Sequence, residues 1–357
     1  MRQVKTLNNN WYFSKTAKNV EKATLKEFME EAQALLTYPG GLVFRGCSDW
    51  VEINLPHTWN GRDGQDGGND YHRGTCYYLK NVPGELLDKN KINYLEFEGV
   101  NSSAAVFWNG KKVMVHHGGY SAFRGKIDDV QENNLLIVTA DNAPNDFVYP
   151  QNADFTFYGG IYRDVNLISV EKNHFSMDDW GAPGIKVTPL VDLDKKQAWI
   201  RVESFVDLEE EWDTLEKNIK VRTILLDREG NILAEKVKVN KKFPKADCQT
   251  KKESLEPVRN SQTKVARAEF VLDNPHLWNG LEDPYLYTAK AELIIGEEVC
   301  DSIETRFGCR KCEIDADRGF ILNGKEYPLR GVSRHQDRPE VGNEGNTGKR
   351  QISFLLL

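Results

Sequence analysis

The sequence is poor in cysteine and methionine, with six and four residues in 357. It has no apolar run near the ~18 residues of a membrane-spanning helix, which argues against a membrane partner. Met1-Arg2-Gln3-Val4-Lys5-Thr6 leads into no apolar stretch, so no secretory signal is expected. Cysteines 47, 76, 248, 300, 309 and 312 are scattered, as free thiols in a reducing compartment are. The expected location is the cytoplasm. There is no excess of basic residues: the net charge of -7 argues against nucleic acid as a partner. Metal-ligand spacing is scarce too. Cys309-Arg-Lys-Cys312 is half of a zinc pattern without a second pair, so ordinary structural cysteine is the simpler reading. His116-His117 are adjacent, and neighbours on a strand point to opposite faces. No metal and no cofactor are expected.

Aromatics, in contrast, are abundant: eight Trp, sixteen Phe and thirteen Tyr can fill large β cores. The patterning is mostly β. One short helix is expected after Thr24, with Glu27 completing a reciprocal cap and Leu25, Phe28, Ala32, Leu35 and Leu36 on one face. Tyr94–Glu98 alternates as a strand with one wet face does. Asn109-Gly110 marks a hairpin whose loop Lys111 and Lys112 extend. Leu135–Val138 reads as a buried strand, and Ile161–Ile168 as one further strand. The pattern breaks at 180–184, which suits a linker. Strands resume at Ala198–Val202, with a hairpin around 228–231, a lysine-rich loop or exposed edge over 236–252, and alternation from Tyr285 to Leu293. About 130 residues of this kind suit an immunoglobulin-like sandwich. A last hairpin turns at Asn323-Gly324.

Five stretches carry a more specific signal. They are Asn54-Leu55-Pro56-His57-Thr58-Trp59-Asn60 with the loop from Asp63 to Gly74; Asn109-Gly110 with Gly118–Phe123; Asp154–Val165; Asn274–Trp278 with Asp283–Tyr287; and Phe307–Arg310 through His335. In this order they resemble glycoside hydrolase family 2, the β-galactosidases and β-glucuronidases. The resemblance spans residues ~50 to 339 and favours the β-galactosidases. It implies a jelly-roll-like sugar-binding sandwich over 1–175, an immunoglobulin-like β-sandwich over 176–310, and the start of a (β/α)8 barrel over 311–357, with Leu329–Pro339 as its first strand.

The resemblance also implies roles. Asp154 matches an aspartate that reaches from the sugar-binding domain to the galactose; a turn-capping aspartate is the alternative. A carboxylate suits the task because it accepts paired bonds from neighbouring hydroxyls. His335 matches a histidine that contacts the sugar, against an ordinary strand-end histidine. Asp66, Asn69 and Asp70 would rim the pocket, against a plain Asx-rich loop. Arg163-Asp164 reads as a structural ion pair or a domain contact.

The family's retaining mechanism uses two glutamates ~5–5.5 Å apart. Both lie on late barrel strands, and no residue here matches either, so no catalytic residue is assigned. From Gly345 to the terminal Phe-Leu-Leu-Leu the sequence leaves the family pattern, as a frameshift or premature stop would produce. A lone barrel strand cannot close a barrel, so Phe320, Ile321 and Leu322 are expected to be exposed with the tail unless they dock elsewhere. The expectation is a truncated glycosidase, inactive alone, that takes a β-galactoside or related oligosaccharide. A non-catalytic sugar-binding module, an oligomer, or a complex with a separate barrel-containing chain are the alternatives.

Overall fold

The computed structural model describes residues 2–24, 26–27, 42–44, 47–64, 70–148, 150–153, 155–178, 181–208, 219–239, 243–244, 263–332 and 341–342. Among these the secondary structure is almost entirely β. Helix is limited to residues 26–27 and two single 3-10 turns, Val20–Lys22 and Gly84–Leu86. The expected cap is present. Thr24 N donates to Glu27 Oε2 at 2.7 Å, and Glu27 N donates to Thr24 Oγ1 at 3.3 Å. The rest of the expected helix lies outside the described residues.

The first part of the chain builds a sandwich from β1 (Gln3–Thr6), β2 (Trp11–Ser14), β3 (Leu42–Phe44), β4 (Cys47–Ile53), β5 (Thr75–Pro83), β6 (Ile92–Phe97), β7 (Val100–Asn101), β8 (Ser103–Trp108), β9 (Lys111–His117), β10 (Phe123–Ile127), β11 (Asn133–Asp141), β12 (Gly160–Ile161) and β13 (Val165–Val170). A seven-stranded sheet runs β3-β4-β2-β5-β11-β8-β9, and a four-stranded sheet runs β1-β13-β6-β10. Trp11, Phe97, Trp108, Phe123 and Leu136 fill the space between them. A second cluster, with Val20, Trp50, Tyr77, Leu79 and Leu135, covers the outer face of the larger sheet. This is why Leu135–Val138 is continuously apolar: β11 is buried on both faces.

The hairpin at Asn109-Gly110 is tighter than the lysines suggest. Lys111 and Lys112 belong to β9 and pair with Trp108 and Phe107, leaving a two-residue turn. Both turn residues have positive φ (48° and 81°), which asparagine and glycine tolerate.

Two further expectations are corrected. The run Ile161–Ile168 is not one strand. It breaks at residues 162–164, where Arg163 Nη1 donates to the carbonyls of Glu98 and Tyr120 and Asp164 Oδ1 accepts from Asn8. These two side chains secure different segments rather than form a pair. Nor does β6 have a wet face. Leu95 and Phe97 point into the core, while Tyr94 packs with Ile168, Val170 and Met177 and Glu96 pairs with Arg124 and Asn166.

A second sandwich follows, from β14 (His174–Phe175), β15 (Ile185–Asp192), β16 (Gln197–Asp207), β17 (Ile219–Leu226), β18 (Ile232–Val239), β19 (Lys264–Asp273), β20 (Tyr287–Ile295) and β21 (Glu298–Phe307). In one sheet β16 is flanked by β19 on one side and by β14 and β15 on the other; the facing sheet runs β18-β17-β20-β21. Ala198, Ala266, Ala268, Ala289 and Ala291 are small residues in the core between them, filled out by Phe270, Tyr287 and Phe307. The outermost strand, β18, is exposed along nearly its whole length.

The last hairpin is not left bare. β22 (Cys312–Asp315), β23 (Gly319–Leu322) and β24 (Lys325–Glu326) form a small antiparallel sheet. Asn323 Nδ2 donates to Trp278 O (3.0 Å) and to Asn279 Oδ1 (2.7 Å), and Tyr327 Oη accepts from Leu281 N (3.4 Å). Ile321 and Leu322 are buried. The segment therefore docks on the second sandwich through a loop some forty residues earlier. Leu329–Val332 carries no strand, and residues 333–339 of the expected barrel strand lie outside the described residues.

The two sandwiches meet at a polar seam. Arg2 Nε and Nη2 reach Asp301 on β21 at 3.0–3.2 Å, and Nη2 also donates to Phe175 O (2.8 Å). Tyr94 Oη lies 3.3 Å from His174 Nε2, and Arg124 Nη1 donates to Ala182 O (2.8 Å). Gly181 (φ 76°) passes so close to Ala122 that a β-carbon would stand 2.4 Å from its carbonyl oxygen.

Candidate functional site

One end of the first sandwich gathers the loops that the sequence singled out. Residues 54–64, 70–74, 141–147 and 155–160 meet there, and two buried asparagines tie them together. Asn60 is 0% exposed. Its amide nitrogen donates to Asp63 Oδ1 (3.0 Å) and His72 O (3.0 Å), and its oxygen accepts from Asn142 Nδ2 (3.1 Å) and Gly159 N (2.9 Å). Asn142, just past the end of β11, also donates to Phe157 O (3.0 Å) and accepts from Gly74 N (3.0 Å). A buried amide suits this work, because it offers two donors and an acceptor to backbone groups that lack strand partners.

Side chains fasten the rest of the rim. Thr58 Oγ1 donates to Gly159 O (2.7 Å), Thr156 Oγ1 to Gly64 O (2.6 Å), and Phe157 N to Tyr71 Oη (3.1 Å). The Arg73 guanidinium lies over the rings of Tyr71 and Phe157, at 5.7 and 5.4 Å, and donates to Asn142 O and Gln151 Oε1. Asp63, with Lys15 at 3.7 Å, closes its own loop by accepting from His72 N. His57 packs on Phe13 and places Nδ1 2.8 Å from Tyr78 Oη. Burial, assisted by the charge of Lys15, pushes its pKa down to about 4, so the imidazole is neutral near pH 7.

Of the five residues expected to contact sugar, Asp70 alone is described. It is exposed, at the lip of this loop cluster. Asp66, Asn69, Asp154 and His335 lie outside the described residues. The residues that flank them are informative. Gly64 precedes residues 65–69, and its carbonyl accepts from Thr156 Oγ1, two residues beyond Asp154. Gly342, beyond His335, approaches the same rim: a β-carbon on it would stand 2.5 Å from Tyr158 Cδ1 and 3.1 Å from Thr58 Cγ2. Described residues that flank Asp66, Asn69 and Asp154 therefore meet at one end of the sandwich.

Sequence reasoning missed the frame itself. Asn60 sits inside a recognised motif and Asn142 does not; apart from Asp63, the partners of both side chains lie 12 to 99 residues away in the sequence. The one available signal for Asn142 is its place beside Asp141, at the polar end of a strand whose centre, Leu135–Val138, is apolar. Among the described residues no cluster of three or more His, Cys, Asp or Glu is placed to hold a metal ion. Cys309 is buried and Cys312 exposed.

Comparison with known proteins matches two family models in succession. The model for the sugar binding domain of glycosyl hydrolases family 2 matches residues 4–171, and a second model of glycosyl hydrolases family 2 matches residues 184–310. The chain belongs to glycosyl hydrolase family 2. A β-glucuronidase of Bacteroides fragilis is 35% identical over 299 residues, 83% of this chain and 40% of the relative. A β-galactosidase of Bacteroides ovatus is 30% identical, over 84% of this chain and 33% of its own length. The crystal structure of a Bacteroides uniformis β-glucuronidase superposes with a TM-score of 0.75 at 28% identity, covering 96% of this chain and 36% of that one. This family 2 chain thus spans well under half the length of these relatives, and what it shares with them is the N-terminal region.

Proposed function

We propose that this chain supplies the sugar-presenting part of a family 2 glycosidase acting on terminal β-galactosides. The first sandwich, residues 1–175, is read as the jelly-roll-like sugar-binding domain. Residues 176–310 are read as an immunoglobulin-like spacer, and residues 311–357 as the approach to a barrel. Asp154 is the residue assigned to the sugar hydroxyls, with Asp66, Asn69, Asp70 and His335 as further assigned contacts. The observation that supports this most is the loop frame built on Asn60 and Asn142. It lies in the region matched by the sugar binding domain model, and described residues that flank Asp66, Asn69 and Asp154 reach it.

Hydrolysis with retention requires an acid/base and a nucleophilic carboxyl ~5–5.5 Å apart. No residue of this chain is assigned to either role, so the chain by itself is expected to bind and not to turn over. The relatives' two names favour testing a β-glucuronide beside a β-galactoside. Calorimetry of the pure chain with each methyl glycoside is expected to give saturable binding with Kd of roughly a millimolar, about -4 kcal/mol. Asp154→Ala is expected to weaken it at least about tenfold, the loss of a charge-assisted bond. Stoichiometric release of nitrophenol from a chromogenic β-galactoside would overturn the inactive reading. Binding unchanged in Asp154→Ala would remove Asp154 from the site.

A further inference from the structure

Most aromatic rings of this chain are covered, and the exceptions share one place. Among the described residues, the Phe, Tyr and Trp side chains that stand exposed are Tyr120 (59%), Phe147 (75%) and Phe155 (39%). All three belong to loops at the end of the first sandwich that holds the Asn60–Asn142 frame. Phe147 closes the 141–147 segment and Phe155 opens the 155–160 segment. The loop of Tyr120 is tied to the same end, because its carbonyl accepts from Arg163 Nη1 (2.9 Å) and Gly119 O accepts from Tyr162 Oη. The described residues of these loops expose no Leu, Ile or Val. One exposed apolar side chain needs no explanation, but a group made only of rings and confined to one end marks a binding surface.

Phe147 is the most exposed of the three and is held firmly. One face of its ring stacks on His117, with centroids 4.9 Å apart and planes 27° apart. His117 is the last residue of β9, in register with Ser103, whose Oγ lies 3.0 Å from its Nδ1. Asn145 fixes the loop above this pair. Its Nδ2 donates to Ser103 Oγ (3.4 Å) and Ala143 O (3.2 Å), and its Oδ1 accepts from Phe147 N (3.0 Å). Ala143 N donates in turn to Asp141 Oδ1 (2.7 Å) at the end of β11. A ring three-quarters exposed, with one face stacked, turns its other face to solvent.

We propose that Phe147, backed by His117, is a stacking platform for the leaving-group sugar ring of an oligosaccharide β-galactoside; this rests on the reading of the first sandwich as the galactoside-binding domain. The C–H face of a pyranose is apolar and slightly positive, and the π face of a phenyl ring is negative, so the two attract as water leaves between them. Phe147 has no polar side-chain atom to satisfy, and its place is already set by His117 and Asn145, so little freedom is lost on binding. Exposure assigns the ring to the leaving group. The terminal sugar has to be enclosed by the groups that act on it, whereas a platform this open suits a sugar at the mouth. A protein partner fits less well, since the core of such a contact is built from aliphatic as well as aromatic side chains.

Calorimetry on the full chain with methyl β-galactoside and with lactose tests this. The unmodified chain is expected to bind lactose at least about threefold more tightly, the gain from one stacked ring. Phe147→Ala is expected to remove that advantage while leaving methyl β-galactoside within about twofold. Phe147→Leu, which keeps apolar bulk without a π face, is expected to behave like the alanine variant, and Phe147→Trp to keep the advantage. Binding of neither glycoside would remove the galactoside reading and the platform with it. Suppose instead that both bind and both are weakened by Asp154→Ala. A lactose advantage that is absent, or that survives Phe147→Ala or Phe147→Leu, would then overturn the platform and leave the galactoside reading standing. A changed oligomeric state of Phe147→Ala in ultracentrifugation, with the lactose advantage intact, would give the ring to a protein contact instead.

Discussion

Replacing Arg2 with alanine is expected to cost about 3 kcal/mol, the low end of what breaking a buried ion pair costs. Asp301 is the reason. Its side chain is 2% exposed, and the guanidinium is its only charged hydrogen-bonding partner among the described residues. With Arg2 gone, Phe175 N (2.8 Å) and Ser302 N (2.9 Å) remain as donors to a buried charge. Those two bonds, and the 21% exposure of the arginine side chain, are why the low end applies. For sandwiches of this size the midpoint of thermal unfolding would drop by roughly 6–12 °C. The bridge joins the residue just before β1 of one sandwich to the last strand of the other, so calorimetry should also show one transition separating into two. The double variant Arg2→Ala/Asp301→Asn should recover part of the loss, because no charge is then stranded. A loss below about 0.5 kcal/mol would class the pair with ordinary surface bridges.

Truncating Asn60 to alanine is expected to cost about 4 kcal/mol and to remove sugar binding with it. Four hydrogen bonds converge on this one buried amide. Its loss strands Gly159 N–H, at roughly 1–3 kcal/mol, and leaves the Asn142 amide, which keeps Phe157 O and Gly74 N, one bond short, with partial relief if water enters. The consequence for the rim is larger than the energy suggests, because Gly159, His72 and Asp63 would lose their common anchor. Urea denaturation measures the first effect and calorimetry with a galactoside the second. A variant that loses less than about 1 kcal/mol and binds normally would show that the frame is redundant.

Strand positions in this chain were legible where a single sheet decided burial. In β20, Tyr287, Ala289, Ala291 and Leu293 are buried and alternate with half-buried residues, as the sequence suggests. The two Asn-Gly turns were legible because only such residues accept paired positive φ values cheaply. The errors arose where distant segments decide burial. Tyr94 and Glu96 look like a wet face until Met177 and Arg124 cover them. Ile321 and Leu322 look stranded until Asn323 and Tyr327 dock on the 278–281 loop. The same holds at the rim. Asp70 is a polar residue in a polar loop and announces itself. Asn60 and Asn142 act through partners such as Gly159 N and Phe157 O, which no local pattern encodes.

The passage from one sandwich to the other has a consequence for dissecting this protein. Phe175 is a core residue of the second sandwich, and Met177, two positions on, is packed against the first. The chain thus passes between hydrophobic clusters of the two sandwiches within three residues of backbone. A cut before Phe175 strips the first sandwich of the side chain that covers Tyr94, and a cut after Met177 opens a phenylalanine-sized hole in the second. Neither half can be excised cleanly, so ownership of residues 174–178 is joint.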